Sequence, residues 1–330
     1  MDLGTNYLGI HLPHPLVVGS GPLGDDLDTV KSLEDAGAAA IVLRSLYEEE
    51  ITGEQIENFL HSESYDDSSA EAGSYFPSPD SALGPEEYIE HLQRVKRAVR
   101  IPVIASLNGT TPGKWLSYAR LLEQGGADAL ELSIYHAASD PTTSAADVEG
   151  LALDIVRQVK QGIRIPIAVK LTPLLTAFAH FALQLDAAGV DGLVLFTRFH
   201  DVDIDVEALE IVRSVKPSGF SDLQLRLRGT AALAGRVRAS LAITGGVHTA
   251  LDVIKATMVG ADVTQLVSAL ILNGPGHLRT VRKELETWLE KNEWNSLREM
   301  RGNMSLQRMP NPSLYERENF RTMLRSSTLS

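Results

Sequence analysis

Cysteine is missing from all 330 residues. That excludes disulfides, cysteine-ligated iron–sulfur clusters and a thiol nucleophile within this chain, and it suits a cytoplasmic setting. Long apolar runs are missing too. None approaches the roughly 18 residues needed to cross a bilayer, and no basic stretch leads into an apolar one at the N-terminus, so neither a membrane span nor a signal peptide is expected. Positive charge is scarce: the formal net charge of −13 argues against nucleic acid as the main partner. The deficit is local. Ser45 to Glu86 holds eleven acidic residues and no Lys or Arg, whereas the chain from Lys291 onward has seven basic and four acidic residues. Both read first as solvated surface; the acidic segment, broken by Pro77, Pro79 and Pro85, also has the length of a lid. No metal site is expected.

What is present is a repeat. Short apolar strands are expected at Leu16–Gly19, Ala40–Arg44, Ile101–Ser106, Ala129–Ile134, Ile165–Lys170, Gly192–Phe196, Leu241–Thr244 and Val263–Val267, with helical runs between them. Asp35-Ala-Gly-Ala, Gln124-Gly-Gly-Ala-Asp, Ala187-Ala-Gly-Val-Asp and Met258-Val-Gly-Ala-Asp each join a helix to a strand. Eight such alternations read as a (β/α)8 barrel of the α/β class, spanning residues 1–290. A doubly wound sheet is the fallback, because periodicity does not show closure. Tyr7 to Pro15 reads as an N-terminal hairpin, 197–229 as a second long loop before the sixth helix, and 291–330 as a tail packing on the barrel or on a partner.

In a barrel the C-terminal strand tips converge on one mouth. Here they supply Ser20-Gly21, Arg44-Ser45, Ser106 with Asn108, Ser133 with Tyr135 and His136, Lys170, Thr197, Gly245-Gly246 and Ser268. The last two flank helix N-termini after strands seven and eight, the usual place for a phosphate. Lys170 ends a strand that should be buried, so it needs an anionic partner. A structural carboxylate is one; the nearby phosphate site points instead to an anionic cofactor.

Several of these motifs resemble the dihydroorotate dehydrogenases, flavin mononucleotide (FMN) enzymes built on this barrel. Gly19-Ser20-Gly21 is similar to the family's Ala-Ser-Gly, and Ala168-Val-Lys170-Leu-Thr-Pro to its Val-Lys-Leu-x-Pro. Thr244-Gly-Gly-Val and Gln265-Leu-Val-Ser-Ala-Leu resemble its Thr-Gly-Gly-Ile and Gln-x-Gly-Thr-Ala-Leu. The resemblance runs from Tyr7 to about Leu289. It implies that backbone N–H groups of Gly245, Gly246, Val267 and Ser268 hold the FMN phosphate. Ser20, Gly21, Arg44, Ser45, Ser106, Asn108, Ser133 and Thr197 would line the flavin. Lys170 would stabilise the charge that arrives with hydride.

The departures concern the substrate. Glu131-Leu-Ser-Ile-Tyr-His-Ala-Ala stands where the family has Asn-x-Ser-(Cys or Ser)-Pro-Asn, so the base becomes His136, or Tyr135 beside it. Arg44 replaces a lysine. The family's substrate asparagines become Ser133, Ala138 and the Phe196-Thr197 pair, and its Gly-Leu-Pro-Asn region corresponds to Asp80–Glu86. The expectation is an FMN oxidoreductase passing hydride from a small carboxylate-bearing substrate to flavin N5, with dihydroorotate a poor substrate. A genuine dihydroorotate dehydrogenase of pyrimidine synthesis, a flavin-free barrel for phosphorylated metabolites, and a non-catalytic flavoprotein subunit of an electron-transfer complex are the rivals. An electron-transfer protein partner and a homo-oligomer are both compatible with the sequence.

Overall fold

A computed structural model describes residues 1–48, 85–109, 115–134, 140–197, 202–213 and 216–315, with Arg321 and Arg325. Eight parallel strands close a barrel in the order β3 (Leu16–Val18), β4 (Ile41–Tyr47), β5 (Val103–Gly109), β6 (Ala129–Ile134), β7 (Ile167–Leu171), β8 (Gly192–Leu195), β11 (Ser240–Thr244) and β12 (Val263–Leu266). Closure removes the doubly wound alternative. Helices Leu27–Asp35, Pro85–Ala98, Trp115–Gln124, Ala145–Gly162, Phe178–Ala187, Phe220–Leu233, Ala250–Val259 and His277–Lys291 surround it.

The period of two along each strand separates two cores. Outward residues such as Leu130, Leu132, Val169, Leu193 and Ile243 pack beneath the helices. Inward residues Val17, Val42, Ile104, Ala129, Ala168, Val194, Ala242 and Val263 fill the lower barrel. The N-terminal hairpin, β1 (Thr5–Tyr7) paired with β2 (Ile10–Leu12), plugs that end and sends Tyr7, Leu8 and Leu12 into the same cluster. The next inward layer is polar, as the following section describes.

The sequence echo has a physical cause. Asp128, Asp191 and Asp262 each accept an N–H at the start of the preceding strand, from Val103 at 2.7 Å, Ile167 at 2.8 Å and Leu241 at 2.8 Å. Each also meets a cation, Lys96, Lys160 and Arg301 respectively. Near the C-terminal ends of their helices, Glu34, Glu123 and Asp186 clasp pairs of backbone N–H groups at Arg100-Ile101, Arg164-Ile165 and Arg238-Ala239. Both sets lie at the rim opposite the mouth.

The expected 197–229 loop is shorter than its sequence suggests. Phe220–Leu233 is already helix, started by Gly219 N–H donating to Asp222 at 2.8 Å. Gly229, the expected end of the loop, is a close-packing position inside that helix. The connection carries an antiparallel hairpin, β9 (Val202–Asp205) with β10 (Glu210–Arg213). Beyond Lys291 the described tail lies on the barrel: Gly302, Met304 and Leu306 donate N–H groups to Thr257, Met258 and Ala231. The acidic 49–84 stretch lies outside the described residues.

Candidate active site

Above the apolar floor the inward positions become Ser45, Ser106, Glu131, Lys170 and Gln265. A register shift in β4 between Val42 and Ser45 re-aims the strand there, as a bulge does. Ser45 Oγ and Ser106 Oγ lie 2.7 Å apart. Asn108 pairs in register with Ser133, and Ser133 with Lys170, so these three tips are neighbours. Arg44 does not face solvent alone: its Nη2 meets Asp25 Oδ2 at 2.5 Å, and the Tyr88 hydroxyl donates to the Arg44 carbonyl at 2.7 Å.

Lys170 has a carboxylate partner. Its Nζ lies 2.5 Å from Glu131 Oε1; the lysine side chain is 11% exposed and the glutamate 0%. The approach is an ion-pair contact rather than an aligned hydrogen bond. Gln265 Nε2 donates to the other oxygen, Oε2, at 2.8 Å. The buried Tyr7 hydroxyl completes the group. Burial, with the Glu131 charge beside it, pushes that phenol well above its ordinary range, so it stays neutral. The structural-carboxylate reading of Lys170 therefore describes its nearest charge, which the sequence reading had placed second to a cofactor.

The tips of β11 and β12 form a second group. Gly245 and Gly246 take φ values of 87° and 78°, which no other residue adopts readily. A Cβ on Gly246 would lie 2.6 Å from both Gly219 O and Leu223 N. Gly246 N–H donates to Ser218 Oγ at 2.9 Å, Ser218 N–H donates to Ser268 Oγ at 2.9 Å, and the two hydroxyls are 3.0 Å apart. His248 Nε2 donates to the Ser218 carbonyl at 2.6 Å and steadies that loop. Under Gly245 sits Arg226, 3% exposed, hydrogen-bonded to the carbonyls of Thr244, Asp222 and Phe196. The Asp222 carboxylate is 3.9 Å away. Because its donors go to carbonyls, the guanidinium brings a fixed positive charge to the glycine pair.

Val267 stands where the resembling family has glycine. Its side chain turns to the tip of β3, where a Cβ on Gly19 or Gly21 would come within 2.9 Å of it. Gly19, in the place of the family's alanine, thus makes room for Val267. Thr197 donates its N–H to the Leu171 carbonyl at 2.8 Å and follows Phe196, whose ring stacks edge-on against Phe178 at 5.9 Å. Tyr135, His136 and Ala138 lie outside the described residues. Sequence reasoning missed Asp25, Glu131, Ser218 and Arg226. Only Ser218 had a local signal, a Ser-Gly pair with Asp222 just beyond, the mark of a helix start.

Residues 2–289 match the family model described as dihydroorotate dehydrogenase. The chain belongs to the dihydroorotate dehydrogenase family. Among similar proteins are those of Thermoplasma acidophilum, 26% identical over 309 residues, and Methanocaldococcus jannaschii, 27% identical over 297. The first alignment covers 91% of this chain and 98% of the relative, the second 88% and 94%. Both relatives are named dihydroorotate dehydrogenase B (NAD(+)), catalytic subunit. The protein is accordingly a flavin-dependent oxidoreductase of the dihydroorotate dehydrogenase type, acting on CH–CH groups. Among the described residues no helix is long and apolar enough to cross a membrane, and no group of three or more His, Asp or Glu could hold a metal ion.

Proposed function

We propose that the chain binds its flavin as FMN and oxidises a small carboxylate-bearing substrate other than dihydroorotate. The observation that carries the cofactor reading is the buried Arg226 beneath Gly245-Gly246, with Ser218 and Ser268 beside it. A fixed cation, two hydroxyls and a tight glycine turn at the strand tip suit a phosphate dianion. Gly245, Gly246, Val267 and Ser268 hold that phosphate. Ser20, Gly21, Arg44, Ser45, Ser106, Asn108, Ser133 and Thr197 line the ring system, and Lys170 meets its pyrimidine end. The flavin, when bound, supplies a hydride acceptor. His136 or Tyr135 takes the substrate proton, and the serine-lined wall orients the flavin from below.

The substrate reading rests on what the mouth offers an anion. Lys170 and Arg44 both have a carboxylate within 2.5 Å, so neither presents an uncompensated charge. The Phe196-Thr197 pair stands where the family has an asparagine, and the Phe196 ring packs on Phe178 and cannot hydrogen-bond. Losing several hydrogen bonds at about 1–3 kcal/mol each removes most of the affinity for a uracil-like acid. The names of the relatives favour the second reading, oxidation of dihydroorotate itself. Those names also say catalytic subunit, which supports a separate electron-transfer chain as partner, since this one has no cysteine for a cluster.

Titration of the oxidised holoprotein with orotate, beside stopped-flow reduction by dihydroorotate, separates the two readings. The expected result is an unmoved flavin spectrum and slow or no reduction. Micromolar orotate binding with rapid reduction overturns it in favour of the second. The flavin released on denaturation is expected to have the mass of FMN.

A further inference from the structure

We propose that Glu131, clamped by Gln265, is a positioning residue that holds Lys170 in place and tempers its charge at the flavin. The proposal rests on the FMN reading above. Glu131 and Lys170 sit on adjacent strands, and in the register Glu131 lies opposite Ala168, one inward step below Lys170. Alternation sends both side chains into the barrel, and the small Ala168 leaves the space in which they meet.

The burial of Glu131 decides the physics. A fully buried carboxylate is stable as an anion only with a cation in contact, and among the described residues Lys170 is the one within 4 Å. Gln265 fixes the second oxygen, so the carboxylate cannot turn away. Gln265 is itself packed against the tip of β3, where a Cβ on Gly19 would come within 3.0 Å of its own Cβ. Tyr7, held neutral below, adds no charge. The column Tyr7–Gln265–Glu131–Lys170 is therefore net neutral, and Lys170 acts on its ligand as one end of a buried dipole rather than as a bare cation.

That arrangement has a measurable consequence. Glu131→Gln keeps the shape and removes the negative charge, so the ammonium acts undiluted on any negative charge at the flavin. Sulfite, which adds to oxidised flavin and leaves it anionic, is the probe. Glu131→Gln is expected to tighten sulfite binding by about tenfold or more, since removing one negative charge favours the anionic adduct. It should also raise the midpoint potential of the flavin. In a Lys170→Met background the same substitution is expected to change neither. Weaker sulfite binding, no change, or an equal change in both backgrounds overturns the proposal.

Thermal melting of the flavin-free protein supplies an independent arm. Lys170→Met alone strands a buried carboxylate and is expected to lower the melting temperature, and adding Glu131→Gln to it is expected to restore much of the loss. Additive losses overturn the pairing. Wild-type protein that never carries flavin overturns the FMN reading, and the melting cycle then decides the pairing on its own.

Discussion

Gly229 packs against the ring of Phe196 so closely that a Cβ would lie 2.8 Å from Cζ and 2.9 Å from Cε2. In an exposed helix interior, replacing glycine by alanine stabilises by about 1 kcal/mol. Here the Phe196 ring, edge-on to Phe178 at 5.9 Å, stands where the new methyl would go. Gly229→Ala is therefore expected to destabilise the protein by about 1–3 kcal/mol. Chemical denaturation measures it; equal or higher stability would show that the ring yields.

At the phosphate end, a Cβ on Gly246 meets backbone on both sides, Gly219 O and Leu223 N. Gly246→Ala is expected to lower the flavin content of the purified protein by displacing the Ser218 loop. Gly246→Asp adds a carboxylate against the phosphate and is expected to give colourless protein. Stoichiometric flavin in the aspartate variant removes the glycine pair from the phosphate site.

Asp25 neutralises Arg44 at the mouth. Asp25→Asn is expected to leave Arg44 in place through the strand and to tighten binding of small carboxylates a few-fold, roughly the value of a partly exposed ion pair. Inhibition constants for a series of carboxylates, measured in low and high salt, test this. An unchanged series places Arg44 outside the ligand's reach.

His14 sets a pH limit. It is buried, Leu16 N–H donates to its Nδ1 at 3.3 Å, and burial with the nearby Arg282 charge lowers its pKa from 6.5 to about 4. The unfolded chain thus takes up a proton below about pH 6.5 that the folded protein refuses until about pH 4. Stability from this group is complete above pH 6.5 and falls as the pH drops towards 4, by about 3 kcal/mol in all. His14→Asn, which can still accept from Leu16, is expected to flatten that limb of the stability curve. Identical limbs in both proteins assign it to other groups.

The eight strands are legible because four helices end in the same small-residue turn and the strands are short apolar runs buried on both faces. Closure is not, since a period carries no register. The same limit explains the site. Ser45, Ser106, Ser133 and Lys170 are visible as strand tips, but the Glu131–Lys170 contact joins residues 39 positions apart (170 minus 131) and exists only once β6 and β7 are aligned. Arg226 and Ser218 lie in or beside a helix whose periodicity is weak, so nothing in one dimension aims them at Gly245 and Gly246. Val267 stands in the place of a motif glycine, and only the structure shows Gly19 as its counterpart.

The acidic clasps at the closed rim carry a consequence for descent. Asp128, Asp191 and Asp262 with Glu34, Glu123 and Asp186 tie the strands together at the end remote from the flavin. A lineage that inherits them can exchange residues at the mouth one at a time without unmaking the barrel. Divergence in this chain follows that division of labour. The echoing turns and the glycine pair resemble the family's, while the sequence departs from its motifs at the Phe196-Thr197 pair and at Tyr135-His136. Such a barrel leaves its mouth free to vary while its closed rim keeps the strands in place.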